Sequence, residues 1–369
     1  KLWATLQDSL VRFRAGSVTT PTGETVATEG QTITVVLPIA LRMEEWGSNW
    51  GWNTNKMTNP FIIVDKVTLT LGATPAVYLS GPSGSIYPIG PLGDKDAKQL
   101  QELVAKMDPS LFHKERPLAL KDPGIHLAVG LTVPDIVEVP SARMAVRAPD
   151  EATEEARYFP DLSVVRQIDE RDAKSFTDGQ RLLRLSAAGV LEYRTVSTSG
   201  FAPELKRAKD DIEDWMNTHG GWPQDLILTH YKQQSGRAAN LTFELRSNGP
   251  YPVESLNGAI RVEVTGNRVD PGADSVTYFK RFPDTTAFAF GDTSYPVITP
   301  EEALKKAQAA YESVFAQDSV REVHMAYQIG SDDGKLSWWL EPSWVIKVGE
   351  STIYVPAPRQ SDRTPRMAE

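Results

Sequence analysis

Histidine is a frequent general base and metal ligand at neutral pH, because its pKa lies close to physiological pH. The chain contains five histidines. None of them has the H-E-x-x-H spacing, or another spacing, that lets two imidazoles bind one zinc ion. We therefore interpret them as structural residues and predict no metal site; they are His113, His126, His219, His230 and His324.

His219 has a specific structural explanation. It precedes Gly220 and Gly221 at the end of a predicted helix. A histidine there interacts favourably with the negative end of the helix dipole, and glycine can adopt the left-handed backbone conformation that ends a helix. The segment His219-Gly-Gly-Trp222 is thus interpreted as a helix end followed by a buried tryptophan, and not as a catalytic group.

Carboxylates that could act as a general acid and base cluster in one segment, where Asp169, Glu170 and Asp172 lie beside Arg166 and Arg171. A glycosidase needs two carboxylates that face each other across a cleft. The spacing here gives no such pair, and a solvated turn is the simpler interpretation. We therefore predict that the protein is not an enzyme and that it has no catalytic residue and no cofactor.

Two other segments have the composition of functional loops without their pattern. Residues 81–85 read Gly-Pro-Ser-Gly-Ser, which indicates a hairpin turn and not a G-x-S-x-G nucleophile elbow. Residues 332–334 read Asp-Asp-Gly, without the alternating oxygen ligands of a calcium loop. Neither segment therefore predicts a serine nucleophile or a calcium site.

Tryptophan is concentrated in two places. Trp46, Trp50 and Trp52 lie within seven residues of one another, among glycine and asparagine. Their rings either cap a core or form an exposed patch for a partner, since tryptophan is enriched at interface hot spots. On a predicted strand further on, alternation places Trp339 on the opposite face from Trp338 and Trp344. The candidate interaction surface therefore consists of Trp46, Trp50, Trp52 and Trp339.

Composition limits the class of protein. The chain has 369 residues, no cysteine and a net charge of −9, from 48 acidic and 39 basic residues. This charge argues against nucleic acid as a partner, because phosphate binding needs clustered lysine and arginine. The lack of cysteine excludes disulfides and thiolate metal sites. No apolar run reaches the roughly 18 residues that a membrane-spanning helix needs.

The predicted elements follow the order strand, strand, helix, strand about three times along the chain. Because strands flank each helix and the loops are short, we expect antiparallel sheets, each covered by one helix. The fold class is thus α+β, with three consecutive small units. The predicted domains are an N-terminal one at 1–150, a middle one at 151–253 and a C-terminal one at 254–369.

The middle unit gives the clearest pattern. Residues 174–185 and 190–196 are predicted as two strands, and a helix is predicted to begin at Pro203, the residue type favoured at a first helical position. One face of this helix is apolar; it carries Leu205, Ala208, Ile212, Trp215 and Met216. Prolines and acidic residues at 134–160 predict a linker or domain boundary before this unit.

Several short segments of the middle and last units resemble the YycH family. The resemblance covers residues 155–357, and the order and spacing of the segments are more specific than any one of them. They are Phe176-Thr-Asp-Gly-Gln-Arg181 with Gly189-Val-Leu-Glu-Tyr193, Asp211-Ile-Glu-Asp-Trp215 with His219-Gly-Gly-Trp222, Leu241-Thr-Phe-Glu-Leu245 with Asn248-Gly-Pro-Tyr-Pro-Val253, Asn257-Gly-Ala-Ile-Arg-Val262, Thr299-Pro-Glu-Glu302 and Leu340-Glu-Pro-Ser-Trp344.

This resemblance implies a Gram-positive cell-envelope protein with one N-terminal membrane helix and a large extracytoplasmic part. Together with a YycI-like protein, members associate with the sensor histidine kinase of the WalK/WalR (YycG/YycF) two-component system, which controls cell-wall metabolism. No catalysis is attributed to them. The last two domains are expected to be YycI-like, with a PepSY-type similarity at the level of fold alone.

We therefore expect that the chain is the extracytoplasmic region of a single-pass membrane protein whose helix precedes residue 1. Its expected partners are the sensor kinase and a YycI-like protein, and a homodimer stays open. An alternative function is a binding module for peptidoglycan or peptides that uses the tryptophan segment or an open sheet edge. A hydrolase with a site not apparent from the sequence is a third hypothesis.

Overall fold

The computed structural model describes most of the chain. The described residues are 32–45, 62–81, 86–106, 115–118, 120, 122–128, 131–196, 201–221, 226–234, 238–245, 251–255, 259–266, 275–282, 284–329, 337–359 and 364–367. The fold is α+β with mostly antiparallel sheets, which confirms the predicted class. Among these residues, no helix combines the length and the apolar character needed to cross a membrane.

The elements are numbered in chain order. The strands are β1 (Thr32–Arg42), β2 (Ile63–Thr70), β3 (Ala76–Ser80), β4 (Ile86–Pro91), β5 (Glu115–Pro117), β6 (Thr132–Pro134), β7 (Glu138–Arg147), β8 (Arg166–Asp169), β9 (Ala173–Thr177), β10 (Arg181–Ser186), β11 (Leu191–Thr195), β12 (Leu226–Gln234), β13 (Ala238–Leu245), β14 (Val253–Glu254), β15 (Ile260–Val264), β16 (Val276–Arg281), β17 (Asp284–Pro296), β18 (Val320–Ile329), β19 (Ser337–Val348), β20 (Ser351–Pro356) and β21 (Arg366–Met367). The helices are α1 (Asp94–Ala105), α2 (Glu151–Tyr158), α3 (Leu205–Thr218), α4 (Pro300–Ala310) and α5 (Glu312–Gln317).

The chain divides into two compact units. The first contains Lys1–Asp135, Leu304–His324 and Ile346–Thr352, and the second contains Ile136–Ala303, Met325–Val345 and Ile353–Glu369. The predicted division into domains at 1–150, 151–253 and 254–369 follows the linear sequence, whereas each compact unit collects residues from several parts of the chain.

The first unit contains a four-stranded antiparallel sheet in the order β1-β2-β3-β4. Alternate residues of β2 and β3 point into one core, where Val67 and Val77 pack with Leu100 of α1. Helix α1 has Gly93 as its N-cap residue, and Asp94 and Asp96 lie in its first turn.

The second unit contains an eight-stranded sheet in the order β12-β13-β15-β16-β11-β10-β9-β8. Each neighbouring pair is antiparallel. The predicted apolar face of α3 covers this sheet, and four of its five residues are buried; they are Ala208, Ile212, Trp215 and Met216. The sheet contains strands from both sides of residue 253, where a domain boundary was predicted, because β11 pairs with β16.

Residues 134–160 were predicted as a linker or domain boundary. The two compact units divide between Asp135 and Ile136, inside this range, but the residues that follow do not form a linker. They form β7, which pairs with β17 and β19, and the helix α2. Asp150 caps α2 by accepting a hydrogen bond of 2.9 Å from the Thr153 backbone N–H. Proline and charge favour a linker only when no strand pairing or buried partner compensates for them, and the sequence does not show such partners.

The predicted strand at 174–185 is also wrong, because a turn divides it into β9 and β10. Asp178 Oδ1 accepts hydrogen bonds from the backbone N–H groups of Gln180, at 2.8 Å, and Arg181, at 2.7 Å. Gly179 has a φ of +89°, a backbone angle that residues other than glycine rarely adopt. The segment Phe176-Thr-Asp-Gly-Gln-Arg181 is therefore a β-hairpin turn.

Candidate interaction surface

The predicted tryptophan surface is only partly within the described residues. Trp46, Trp50 and Trp52 lie outside them, so their role stays a prediction. Trp339 lies on β19 and is half-buried, and its ring makes an edge contact with Tyr295, with 5.9 Å between centroids.

The other two tryptophans of β19 are buried, in agreement with the predicted alternation. Trp344 is fully buried, and its indole N–H donates a hydrogen bond of 2.9 Å to the Ile298 carbonyl. Trp338 is also buried and has an edge contact with Phe282. Trp339 is thus the part of the proposed tryptophan surface that the structure places near solvent.

A different exposed surface lies at the end of the eight-stranded sheet. β8 is the last strand of that sheet, and among the described residues it pairs with β9 alone. All four of its residues are exposed. The surface also exposes large apolar side chains, with relative exposures of 49% for Leu162, 55% for Val164 and 51% for Ile168. The sequence did not predict this edge, because local patterns indicate strands but not which strands pair with each other.

The backbone groups of β8 alternate between its partner strand and the open side. The N–H of Glu170 donates a hydrogen bond of 2.9 Å to the Ala173 carbonyl of β9. In an antiparallel ladder, residues two positions apart direct their N–H and C=O groups to the same side. Ile168 and Arg166 therefore direct these groups to β9, and Gln167 and Asp169 direct theirs to the open edge.

The acidic side chains after β8 form contacts with residues of β9 and β10. Glu170 accepts hydrogen bonds from the Ser175 hydroxyl and from Arg184 Nε, the latter at 2.9 Å. These bonds, the one from Ser175 first, lower the pKa of the Glu170 carboxyl. Asp172 lies 3.4 Å from Arg184 Nη2. Residues 169–172 are exposed, as predicted for this acidic cluster, although Asp169 lies on β8 and only residues 170–172 form the turn to β9.

The structure also confirms that His219 ends a helix. Its Nδ1 atom lies 2.8 Å from the Trp215 carbonyl oxygen, and its ring stacks on Trp215 with 4.2 Å between centroids. Gly220 and Gly221 both have positive φ, and the Gly221 N–H donates to the Met216 carbonyl at 2.8 Å. Backbone geometry accounts for the His-Gly-Gly segment.

A buried ion pair joins α2 to the eight-stranded sheet. Arg281 Nη2 of β16 donates to Glu154 Oε1 at 2.9 Å, and the two side chains are only 8% and 4% exposed. Arg157, whose side chain is 36% exposed, contacts the same oxygen at 2.7 Å. The other carboxylate oxygen of Glu154, the Tyr158 hydroxyl and the Trp215 indole N–H are buried and have no hydrogen-bond partner within the described part of the chain.

A second buried carboxyl group of the same unit lies beside another acid. Glu244 is buried on β13 and accepts a hydrogen bond of 3.2 Å from the Ser255 N–H. Burial first, and then the nearby Glu254 charge, raise the pKa of Glu244 well above its ordinary value. The Tyr354 hydroxyl donates to Glu254 at 3.2 Å. Burial and the Glu254 charge both favour the protonated form of Glu244 in the folded protein.

The first unit holds an ionic group of its own. Glu322 lies 2.8 Å from His324 Nδ1 and 3.0 Å from Lys347 Nζ. Burial alone would raise the pKa of Glu322, but these two residues outweigh it and hold the pKa well below its ordinary value. The described residues contain no group of three or more His, Asp or Glu side chains that could hold a metal ion.

Comparison with known proteins gives no relative. No family model matches the chain, and no curated protein and no solved structure is significantly similar to it. Any assignment of function therefore depends on the motifs and on the surfaces described above.

The Glu154–Arg281 pair leads to a stability prediction. Glu154→Gln keeps the side-chain volume but removes the negative charge that lies 2.9 Å from the buried Arg281 guanidinium. Breaking a buried pair in this way should lower the free energy of unfolding by about 3 kcal/mol. Arg157→Gln is the matched control, because it removes a partly exposed partner of the same oxygen and should cost less than about 1 kcal/mol. Urea unfolding measures both, and equal losses would contradict the assignment.

The raised pKa of Glu244 predicts a pH-dependent stability. The folded state keeps a proton that the unfolded chain releases above the ordinary pKa of 4.5. This contribution is complete below that pKa and is lost as pH rises through the folded-state pKa. Glu244→Gln mimics the protonated form at every pH, so its stability relative to the unsubstituted protein should increase as the pH is raised. Unfolding measured at several pH values tests this, and a constant or decreasing difference would contradict it.

Proposed function

We propose that this protein is an extracytoplasmic accessory protein that regulates a sensor histidine kinase by protein–protein contact. The observation that carries the proposal is the ordered set of short segments between residues 176 and 344 that resembles the YycH family. On this proposal the protein is anchored in the cell membrane, with the described region on the extracytoplasmic side. It acts together with a YycI-like protein on a WalK-like kinase.

The described form of these segments fits a role as scaffold. Residues 176–181 form a hairpin turn, and His219 with its two glycines ends α3. In the segment Thr299-Pro-Glu-Glu302, the Thr299 N–H donates to Glu302 Oε2 at 2.8 Å and the Glu302 N–H donates to Thr299 Oγ1 at 3.2 Å. These two bonds form a capping box, for which the Ser/Thr-x-x-Glu spacing of Thr299 and Glu302 is the sequence signature. The shared residues thus maintain sheets and helix ends, as expected for a protein that acts through its surface.

Regulation by contact imposes a thermodynamic requirement. A sensor kinase exchanges between conformations of different activity, and a bound protein shifts that equilibrium only if its affinity differs between them. A tenfold difference in affinity shifts the equilibrium by about 1.4 kcal/mol. The proposed contact must therefore change kinase activity in proportion to binding.

The proposal predicts that the chain binds the kinase and changes its autophosphorylation rate. The full-length kinase, with its membrane helices, is reconstituted in lipid nanodiscs and titrated with this chain, with and without the YycI-like protein. We expect saturable binding and a change in rate with the same concentration dependence. A sensor kinase with an unrelated extracytoplasmic domain is the control. If the chain does not bind the kinase either with or without the YycI-like protein, the proposal is overturned.

A further inference from the structure

We propose that β8 is a self-association edge, through which two copies of this chain pair antiparallel about a two-fold axis at Ile168. The dimer would join two eight-stranded sheets edge to edge. This inference does not rest on the proposed function, because it follows from the geometry and charges of β8 alone.

The open edge of β8 has backbone groups ready for pairing. As the Glu170–Ala173 hydrogen bond establishes, Gln167 and Asp169 direct their N–H and C=O groups away from β9. No strand of the described ranges pairs with these groups, and groups left open in this way are a template for a further strand. Ile168, at 51% exposure, provides an apolar side chain at the centre of this edge.

Symmetry restricts how two copies can pair. Consider a two-fold axis that is normal to the joined sheet and passes beside one residue of the edge strand. That residue then lies opposite the same residue of the second copy. The residue before it lies opposite the residue after it in the second copy. The axis can therefore pass beside residue 166, 167, 168 or 169. An axis at 166 would place Arg166 against Arg166, and one at 169 would place Asp169 against Asp169, and both arrangements are destabilising.

The two central registers differ in complementarity. An axis at residue 167 would place Arg166 opposite Ile168 of the second copy and Val165 opposite Asp169. An axis at residue 168 places Ile168 against Ile168 and Arg166 opposite Glu170, and the charge pair occurs twice. It also places Gln167 opposite Asp169, so that their outward backbone groups form hydrogen-bonded pairs. The charges of β8 therefore favour residue 168.

Glu170 is already held in the position that this register requires. Ser175 and Arg184 both bond its carboxylate, so little side-chain freedom is lost when Arg166 of the second copy approaches. Ordering a flexible side chain at an interface usually costs about 0.5–1.5 kcal/mol, and here that cost is reduced.

Charged residues often protect exposed strand edges against pairing. That protection works when identical edges repel each other. Here β8 and the turn after it carry both positive and negative side chains. With the two-fold axis at Ile168, Arg166 of each copy lies opposite Glu170 of the other, so the charges attract. With the axis at residue 167, the same charged side chains would lie opposite apolar residues. The edge is therefore selective for one register.

A cysteine scan tests the dimer and its register together, and the chain has no native cysteine to interfere. In the proposed register, two Ile168→Cys residues face each other in a non-hydrogen-bonded pair with Cα atoms about 4.5 Å apart, which a disulfide can bridge. Two Gln167→Cys residues would be about 8 Å apart, from the rise along a strand and the spacing between strands. Val137→Cys, at a more exposed position outside β8, is the control for random collision.

We expect that mild oxidation converts most of the Ile168→Cys protein to a disulfide-linked dimer and leaves the other two at background. Sedimentation velocity of the unsubstituted chain should show a monomer–dimer equilibrium that Ile168→Asp abolishes, with unchanged circular dichroism because Ile168 is exposed. Preferential cross-linking through Gln167→Cys would overturn the register. Equal cross-linking at all three positions, or a chain that stays monomeric at high concentration, would overturn the dimer.

Discussion

The second unit depends on one buried ion pair. Arg281 and Glu154 lie 127 residues apart in the chain, yet their side chains meet with little exposure to solvent. Removing two charges from water is costly, and only a close contact with good geometry compensates for that cost. The pair joins α2 to β16, shortly before the chain enters the eight-stranded sheet at β8.

The core beneath this pair shows the consequence. Tyr158 and Phe159, at the end of α2, are buried in one cluster with Tyr193 of β11 and Trp215 of α3. The rings of Tyr158 and Tyr193 lie 5.1 Å apart, and Trp215 also contacts Phe279 of β16. Helix α2 therefore contributes to the hydrophobic core, although its composition is that of a solvated linker.

The position of the open edge follows from the same arrangement. The turn at Asp178 and Gly179 places β9 against β10, and the turn after Asp169 places β8 against β9. β8 pairs with β9 and is the last strand of the sheet in the described part of the chain. The buried ion pair and the two turns together place Ile168 at an exposed edge.

Local features of the fold could be predicted from the sequence, because they depend on neighbouring residues. The capping box at Thr299, the apolar face of α3 and the alternation of Trp338 and Trp339 are of this kind. The errors concern interactions between distant residues. Glu154 resembles a surface acid until Arg281 is known to face it, and nothing in the sequence near β8 shows which strands pair with it.

The two candidate interaction surfaces, Trp339 and the β8 edge, also differ in whether they depend on neighbouring or on distant residues. Alternation could place Trp339 on an outward face, since that depends on one strand. The β8 edge could not be identified from the sequence, because an edge is defined by the order of all eight strands in the sheet. The sequence nevertheless contains the charges that make the edge self-complementary, and they become interpretable once the open side of β8 is known.

Amide hydrogen exchange of the unsubstituted chain, followed residue by residue at low and high protein concentration, tests the central claim most directly. If β8 is the edge through which copies pair, the amides of Gln167 and Asp169 exchange rapidly when the protein is dilute and become protected as its concentration rises. The amides of Arg166 and Ile168, which face β9, keep the same protection throughout. Rapid exchange at Gln167 and Asp169 at every concentration would contradict the account.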